Sequence, residues 1–126
     1  EVIPYKTSVS LEHFISYKTK KGDKIIGFLR LCWPKKKLSS QNFFEELRNC
    51  AIIREVHVYG QVVGIGKKTK GKAQHLGLGT RLIEMACQMS KKASWKKIAV
   101  ISAIGTHEYY RKRQFSDQGL YLIRNL

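Results

Sequence analysis

The segment from residue 80 to residue 105 constrains the fold more than any other part of the sequence. From Thr80 to Ala93, apolar side chains recur with the period of a helix, and charged side chains gather on the opposite side. The next segment, 96–105, reads KKIAVISAIG and holds the continuous apolar run of a strand that is buried on both faces. An amphipathic helix followed by a buried strand indicates helices packed on a sheet.

The rest of the chain continues this alternation of strands and helices. A hairpin is indicated by two strand-like segments around the turn residues KKGD. The sequence therefore predicts an α/β fold, with a mixed central sheet and flanking helices, in a single domain over 1–126. The other predicted elements are strands over 12–20, 24–33, 51–60 and 119–126, a short helix from Ser40 to Arg48 with Phe43, Phe44 and Leu47 inward, a basic loop over 60–73 and a helix over 107–113.

The strand over 51–60 has one apolar and one polar face. Strict alternation places Ile52, Val56 and Val58 on the same side as Arg54. The other side would carry Glu55, His57 and Tyr59. Such a polar face fits either solvent or a cleft.

The net charge is the extreme feature of the composition. The chain has 24 Lys and Arg against nine Asp and Glu, which gives a formal charge of +15. A field of this sign attracts polyanions, which could be nucleic acid, a phosphorylated cofactor or an anionic membrane. The basic clusters are 35–37, 67–72, 91–92, 96–97 and 111–113.

The cysteines and the chain ends are less informative. Cys32, Cys50 and Cys87 are far apart and odd in number, which favours core residues of a reducing compartment over a zinc site or a disulfide. No apolar run approaches the ~20 residues that cross a bilayer. The chain begins with Glu1 and not with Met, as a piece of a longer protein would.

Two glycines, Gly77 and Gly79, stand directly before the predicted helix. The first N–H groups of a helix have no intrahelical partner, and glycine lets a ligand approach the backbone closely. The pair is therefore either a sharp turn or an anion cradle with Thr80 as a further donor. It is neither the dinucleotide fingerprint, since Leu82 stands where a third glycine would be, nor a P-loop.

The surroundings of these glycines resemble a known family. The segment QHLGLGT, between a strand and a helix, is similar to the phosphate-binding motif of the GCN5-related N-acetyltransferase family. Four segments in order resemble the acetyltransferase domain of the Elongator catalytic-subunit family, namely REVHVYG, QHLGLGTRL, KKIAVIS and EYYRK. The members of that family are tRNA-modifying enzymes of the radical-SAM type. The similarity runs from about residue 12 to residue 124, with 12–60 as the N-terminal part and 61–126 as the half that binds acetyl-CoA.

The resemblance implies an acetyl-CoA site in the opening between the strands 51–60 and 96–105. In this reading one strand lines the pantetheine arm and the acetyl end, and the glycine segment holds the pyrophosphate. The residues implied for the first role are Glu55, Val56, His57 and Val58, and those for the second are Gln74, His75, Gly77, Leu78, Gly79, Thr80 and Arg81.

Two adjacent tyrosines are the implied catalytic residues. A phenol can protonate a departing thiolate or donate to a thioester, although both rings could equally be packing residues. Because adjacent helical side chains point about 100° apart, the two cannot address one atom. We assign Tyr110 to the cofactor and Tyr109 to the reaction centre or its wall. Glu55 and His57 are the candidates for a general base, if the reaction needs one.

The resemblance also implies partners beyond acetyl-CoA. The first partner is tRNA, which is modified at its wobble uridine, and other Elongator-type subunits are further partners, in the cytoplasm and also the nucleus. A basic surface would bind the tRNA, and it includes Lys35, Lys36, Lys37, Lys67, Lys68, Lys70 and Lys72. S-adenosylmethionine and a 4Fe–4S cluster would belong to a radical domain outside this sequence, since no CxxxCxxC occurs here. No metal site and no membrane partner are expected.

Some residues depart from the family pattern. GLYL stands at 119–122 where Gly-Pro-Tyr-Met is usual, and ISAIGTH replaces Ile-Ser-Gly-Val-Gly-Thr-Arg. These changes concern the acceptor end more than the cofactor end. Protein lysine acetylation and non-catalytic RNA binding are therefore alternative functions.

Overall fold

The computed structural model describes residues 1–21, 24–42, 44–59, 68–102 and 106–126, and for 68–76 it describes the backbone alone. The strands and helices alternate along the chain as the sequence predicts. The strands are β1 Val2–Lys6, β2 Ser10–Lys18, β3 Ile25–Pro34, β4 Cys50–Val58, β5 Lys97–Val100, β6 Ser116–Gln118 and β7 Tyr121–Asn125. The helices are α1 Lys36–Ser39, α2 Lys68–Lys92 and α3 His107–Arg111, with a 310 turn at Glu45–Leu47.

The strands form one mixed seven-stranded sheet in the order β1-β2-β3-β4-β5-β7-β6. The pair β4 and β5 is parallel, and the other described neighbours are antiparallel. A parallel pair needs a crossover, and α2 lies in the connection between β4 and β5. The α/β prediction with a mixed central sheet is confirmed.

Helix α2 covers one face of the sheet and forms the main core with it. Leu82, Ile83 and Ala86 are completely buried against sheet residues such as Leu31 and Ile53. Burying one such aliphatic side chain stabilises a fold by roughly 1.5–3 kcal/mol. The inward face predicted for this helix is confirmed. A smaller cluster of Leu47, Cys50, Ala99 and Ile123 is separate from this core.

The start of α2 differs from the prediction. The sequence predicts a loop over 60–73 and a helix from Thr80, but the helix begins at Lys68. The loop prediction is therefore wrong for 68–73, and residues 60–67 lie outside the described part. Glycine disfavours a helix by up to about 1 kcal/mol per residue relative to alanine. The sequence around Gly77 therefore does not predict a helix. Packing of the helix on the sheet outweighs this local preference.

The short helix is also misplaced in the prediction. It precedes Ser40 instead of following it, and the region up to Arg48 holds only the 310 turn. The Ser40 hydroxyl donates backwards to the carbonyl of Lys37 at 3.0 Å, so it does not begin a new helix. Leu47 is buried as predicted, Phe44 is 40% exposed, and Phe43 lies outside the described residues.

Two edge strands escaped prediction because their local signals are weak. Strand β1 contains Pro4 and is exposed along its whole length, whereas β6 has only three residues. Both lie at the edges of the sheet, where pairing with one neighbour decides their structure.

The three cysteines are buried with free thiols, as expected of core residues. Burial raises the pKa of Cys32 to about 12 and that of Cys87 to about 11. In the described ranges there is no cluster of three or more metal-ligating side chains. The described helices include none that is both long and apolar enough to cross a bilayer.

Candidate functional site

The parallel strands β4 and β5 separate at their carboxyl ends. Their paired residues run from Cys50 opposite Lys97 to Ile53 opposite Val100. Strand β4 continues for five more residues, to Val58, whereas β5 ends. Within the described ranges, the edge of β4 beyond Ile53 has no strand partner on this side. A ligand can use such an edge for backbone hydrogen bonds.

A β-bulge reverses the faces of β4 at this point. Arg30 pairs with Glu55 and Leu31 with Ile53, so Arg54 is the extra residue. Val56 and Val58 therefore continue the core side of Ile53 and pack against the main core. The prediction that these valines share a face with Ile52 is wrong, because strict alternation does not hold across a bulge. Their separation from Glu55, His57 and Tyr59 is confirmed.

The separation of the strands opens a cavity of about 530 Å³. Its walls come from β4, the segment after β5, helix α2 and helix α3. The lining residues are Arg54, Glu55, Val56, Val58, Gly79, Val100, Ile101, Ser102, Thr106, Tyr109 and Tyr110. We call this cavity the cleft. Six of the residues predicted to form a site thus meet in it, namely Glu55, Val56, Val58, Gly79, Tyr109 and Tyr110.

Tyr110 is the buried tyrosine of the cleft, with 7% of its surface exposed. Its ring packs edge-on against Phe115 at 5.6 Å and against Tyr109 at 5.3 Å. Burial, followed by the neighbouring Tyr109, raises the pKa of Tyr110 to about 12, and Arg113 opposes this shift. The hydroxyl is protonated at neutral pH, as an unshifted phenol would be, and the raised pKa makes it a weaker acid.

Tyr109 is held between helices α2 and α3. The Arg113 guanidinium lies over its ring, 3.6 Å from the centroid, and also donates to Thr80 Oγ1 at 2.7 and 3.1 Å. The Tyr109 hydroxyl occupies the space in which a side chain at Gly79 would stand. The absence of a side chain at Gly79 thus lets α3 approach α2, which is a role that the sequence did not predict.

The two candidates for a general base occupy different places. Glu55 lines the cleft and lies 3.5 Å from Arg30, with both side chains more than 40% exposed. His57 is not among the lining residues. Its ring lies 4.5 Å from that of Tyr59 and 5.7 Å from that of Phe28. The structure therefore separates His57 from the cleft.

The implied pyrophosphate segment, 74–81, lies inside helix α2. In a helix each N–H group donates to the carbonyl four residues earlier, so these amides are engaged within the helix. Gly79 lines the cleft, whereas Gly77, Leu78, Thr80 and Arg81 do not. The side chains of Gln74 and His75 lie outside the described part.

The lysines predicted to bind RNA are described only in part. Lys35, Lys36 and Lys37 are exposed around the start of α1. Lys67 lies outside the described residues. For Lys68, Lys70 and Lys72 only the helical backbone is described.

Several lining residues were not predicted. Arg54 enters the cleft through the bulge, and its guanidinium lies 3.8 Å from the buried carboxylate of Glu12. Nothing in the sequence marks the bulge. Ile101 and Ser102 could have been found, since ligands commonly bind beyond the carboxyl ends of parallel strands. The other unpredicted lining residues are Val100 and Thr106.

Curated relatives match the chain over nearly its whole length. Elongator complex protein 3 of Dictyostelium discoideum is 41% identical over 124 residues, and the human protein of that name is 40% identical over 124 residues. The yeast protein, from Saccharomyces cerevisiae, is 37% identical over 123 residues. Each match covers 97% of this chain and 22% of the relative, so the chain spans about a fifth of these proteins.

Solved structures agree with this relationship. An archaeal Elp3 from Methanocaldococcus infernus, with an N-terminal deletion, superimposes with a TM-score of 0.80 at 31% identity over 100% of this chain and 29% of its own. Tetrahymena GCN5 matches with a TM-score of 0.56 at 14% identity, covering 94% and 69% of the two chains. A Bacillus anthracis protein named as a streptothricin acetyltransferase was solved with acetyl-CoA. It matches with a TM-score of 0.56 at 19% identity, covering 94% of this chain and 63% of its own.

No protein-family model matches the chain. The sequence relatives and the first of the solved structures nevertheless point to the same kind of protein. The chain therefore has the GCN5-related N-acetyltransferase fold and is homologous to one part of Elongator complex protein 3.

Proposed function

We propose that the cleft binds acetyl-CoA and that this protein is the acyltransferase-type domain of an enzyme that modifies the wobble uridine of tRNA. The observation that supports this most strongly is the cleft itself, where β4 and β5 separate and two tyrosines line the opening. The choice of tRNA as the second substrate rests on the resemblance to the Elongator catalytic-subunit family, with which the match to part of Elongator complex protein 3 is consistent.

The residues of the cleft fit an acetylated pantetheine arm. Val56, Val58 and Val100 give it apolar walls, and the open edge of β4 offers backbone groups to the amides of an extended arm. Acetyl-CoA would supply an acetyl group carried as a thioester. Arg54 and Ser102 add polar groups to the same cavity.

Tyr110 is the proposed proton donor. Its hydroxyl is protonated at neutral pH, as in an ordinary tyrosine, and can donate to the thioester carbonyl or to a departing thiolate. Tyr109 forms the wall next to it and is oriented by Arg113. No general base is assigned. In the cleavage, water adds to the thioester carbonyl, the C–S bond breaks to give acetate and the CoA thiol, and the proton released by the water returns through solvent to Tyr110.

The pyrophosphate is proposed to lie against residues 74–81. In the helical state of Gly77 and Gly79 the amides are engaged, so phosphate binding would require α2 to begin nearer Thr80. Two glycines within four residues make this helical segment easy to open, since each disfavours the helix by up to about 1 kcal/mol.

The proposal predicts thioester cleavage that depends on tRNA. We expect hydrolysis of acetyl-CoA to appear when tRNA is added and to fall by about 10²-fold in Tyr110→Phe, since a positioned acid contributes 10²–10⁴-fold. Tyr109→Phe should lower it by about tenfold through loss of positioning. Release of free thiol measures the rate. Tyr17→Phe is the matched control, because Tyr17 packs on the main core and does not line the cleft.

Other outcomes would assign a different function. Acetylation of a lysine peptide without any effect of tRNA would indicate a protein acetyltransferase. Binding of tRNA without binding of acetyl-CoA would indicate a non-catalytic RNA-binding module. Either result would contradict the proposal.

A further inference from the structure

A second cavity lies at the other end of the sheet from the cleft. It also measures about 530 Å³, and we call it the tryptophan cavity. The cleft lies at the carboxyl end of β4, whereas this cavity lies at the Ser10–Pro34 end of the β2–β3 pair, next to the beginning of β5. Its lining residues are Lys6, Thr7, Ser10, Leu11, Trp33, Pro34, Lys35, Lys36, Ala93 and Trp95.

Both tryptophans of the chain line this cavity, and Ser90 bonds the side chain of one and the backbone of the other. The indole N–H of Trp33 donates to Ser90 Oγ at 2.9 Å. The backbone N–H of Trp95 donates to the Ser90 carbonyl, also at 2.9 Å. Ser90 is completely buried in α2, and Trp33 also packs on the buried His13 at 4.1 Å between ring centroids. The Trp33 indole is therefore held against α2 and is half-buried, whereas Trp95 belongs to the main core with 7% of its surface exposed.

The same cavity is positively charged. Lys6, Lys35 and Lys36 contribute three ammonium groups, and none forms a salt bridge with a carboxylate in the described part of the chain. The backbone of Lys35 is anchored by a hydrogen bond to Val9 at 2.8 Å. Lys36 Nζ lies 5.6 Å from the ring centroid of Trp95.

Acidic groups do not compete for these lysines. No acid is among the described lining residues. The Ser10 hydroxyl donates to Glu12 at 2.8 Å, but Glu12 is buried and its carboxylate also lies 3.8 Å from Arg54. The charge is therefore available to an external anion.

We propose that the tryptophan cavity binds a nucleotide of RNA. Its ligand chemistry is an anion next to a flat π-system, since lysines and indoles line the same walls. RNA offers both groups in each nucleotide, and stacking of a base on an aromatic side chain contributes about 1–3 kcal/mol. An acidic peptide would use the lysines but not the indoles. The inference rests on the proposal that this protein acts on tRNA, and it adds a contact remote from the cleft.

Tryptophan emission tests this inference directly, because the chain has two tryptophans and both line the cavity. Titration with a single-stranded oligouridylate of about eight nucleotides should quench the emission saturably. The double variant Lys35→Gln/Lys36→Gln should bind the oligonucleotide more weakly. The magnitude of its salt slope, d log K/d log[salt], should be smaller by about 1.4, as expected for two lost phosphate contacts on a single strand.

The matched control removes equal charge elsewhere. Lys20 and Lys21 are exposed at the opposite end of the β2–β3 pair, so Lys20→Gln/Lys21→Gln should leave the titration within about twofold. Trp33→Phe should lose most of the quenching while its fold, checked by far-ultraviolet circular dichroism, is kept.

The opposing results are equally clear. No saturable quenching, equal quenching by inorganic tripolyphosphate, or equal displacement by polyglutamate would overturn the inference. If tRNA stimulates thioester cleavage but the oligonucleotide does not quench, this inference fails and the proposed function stands. Quenching that depends on Lys35 and Lys36 without stimulated cleavage would support the cavity and contradict the proposed function.

Discussion

Gly77 and Gly79 show how two neighbouring glycines in one helix can have different roles. A Cβ at Gly77 would meet nothing within 4 Å, whereas a Cβ at Gly79 would meet the Tyr109 hydroxyl. Only the second glycine is required by packing. Tyr109 cannot yield freely, because Arg113 covers its ring at 3.6 Å.

Alanine substitutions should separate these roles. We expect Gly77→Ala to raise the free energy of unfolding by about 0.5–1 kcal/mol through helix propensity. Gly79→Ala should instead lower it by about 1–2 kcal/mol relative to Gly77→Ala, because the added methyl displaces Tyr109. Urea denaturation measures both. Equal effects of the two substitutions would show that Tyr109 does not pack on α2.

The same pair bears on the pyrophosphate. If α2 has to open near Thr80 to bind it, Gly77→Ala should weaken acetyl-CoA binding while stabilising the fold. Unchanged affinity in Gly77→Ala would contradict that part of the proposal.

His13 is a buried titratable residue that should make stability depend on pH. Burial lowers the pKa of His13 from its ordinary value of 6.5, with Glu12 acting in the opposite direction, and its Nδ1 has no described hydrogen-bond partner. The unfolded chain therefore takes up this proton at higher pH than the folded one. The stabilisation is present above pH 6.5 and is lost as pH falls through the folded pKa.

Urea midpoints at about pH 7.5 and about pH 5.5 test this expectation. The midpoint of the wild type should fall towards the lower pH, and His13→Phe, which keeps an aromatic ring against Trp33, should fall less. An identical decrease in both proteins would exclude His13 as the source.

At the scale of elements, one ion pair connects α2 to the last strand. The Arg124 guanidinium donates to both carboxylate oxygens of Glu84, at 2.6 and 3.4 Å, and also to the Arg113 carbonyl at 3.3 Å. The Arg124 side chain is only 15% exposed. Loss of the carboxylate would leave a largely buried cation without its charged partner.

We therefore expect Glu84→Gln to lower the free energy of unfolding by about 1 kcal/mol. Glu108→Gln is the control, since Glu108 is 68% exposed and 4.0 Å from Arg111, and its effect should stay within about 0.5 kcal/mol. Thermal or urea unfolding compares the two. A Glu84 effect no larger than that of Glu108 would mean that the partly buried pair, in which Glu84 is 41% exposed, adds nothing to stability.

How far the sequence predicts an element depends on what fixes that element. The inward face of α2 could be predicted because Leu82 and Ile83 follow a helical period over several turns. The bulge at Arg54 could not, because it exists only in the register between β3 and β4. The start of α2 could not either, since packing outweighs the propensity of its glycines.

At the scale of the whole molecule, the two cavities lie at opposite ends of one sheet. Among the side chains that the structure describes, the cleft contains six of the residues predicted for acetyl-CoA and catalysis, and the tryptophan cavity contains Lys35 and Lys36 of the lysines predicted for RNA. The cleft could be predicted because its residues belong to sequence motifs that follow one another in the same order as in the family that the chain resembles. The tryptophan cavity could not, since Trp33 and Trp95 come together only through Ser90.

In the proposed assignment, acetyl-CoA and RNA have separate sites. A chain with a net charge of +15 can attract both ligands, but the charge itself does not assign either one to a place. The proposed assignment depends on the parting of β4 and β5 for the first ligand and on the two indoles for the second.

The most direct test of the central claim is to map acetyl-CoA binding on the amide NMR spectrum of the protein. If the cleft is the cofactor site, the signals of residues 54–58, Ser102 and Tyr109–Tyr110 should shift saturably, while the indole N–H signals of Trp33 and Trp95 stay in place. Saturable shifts confined to residues outside the cleft, or no saturable shift at all, would contradict the account.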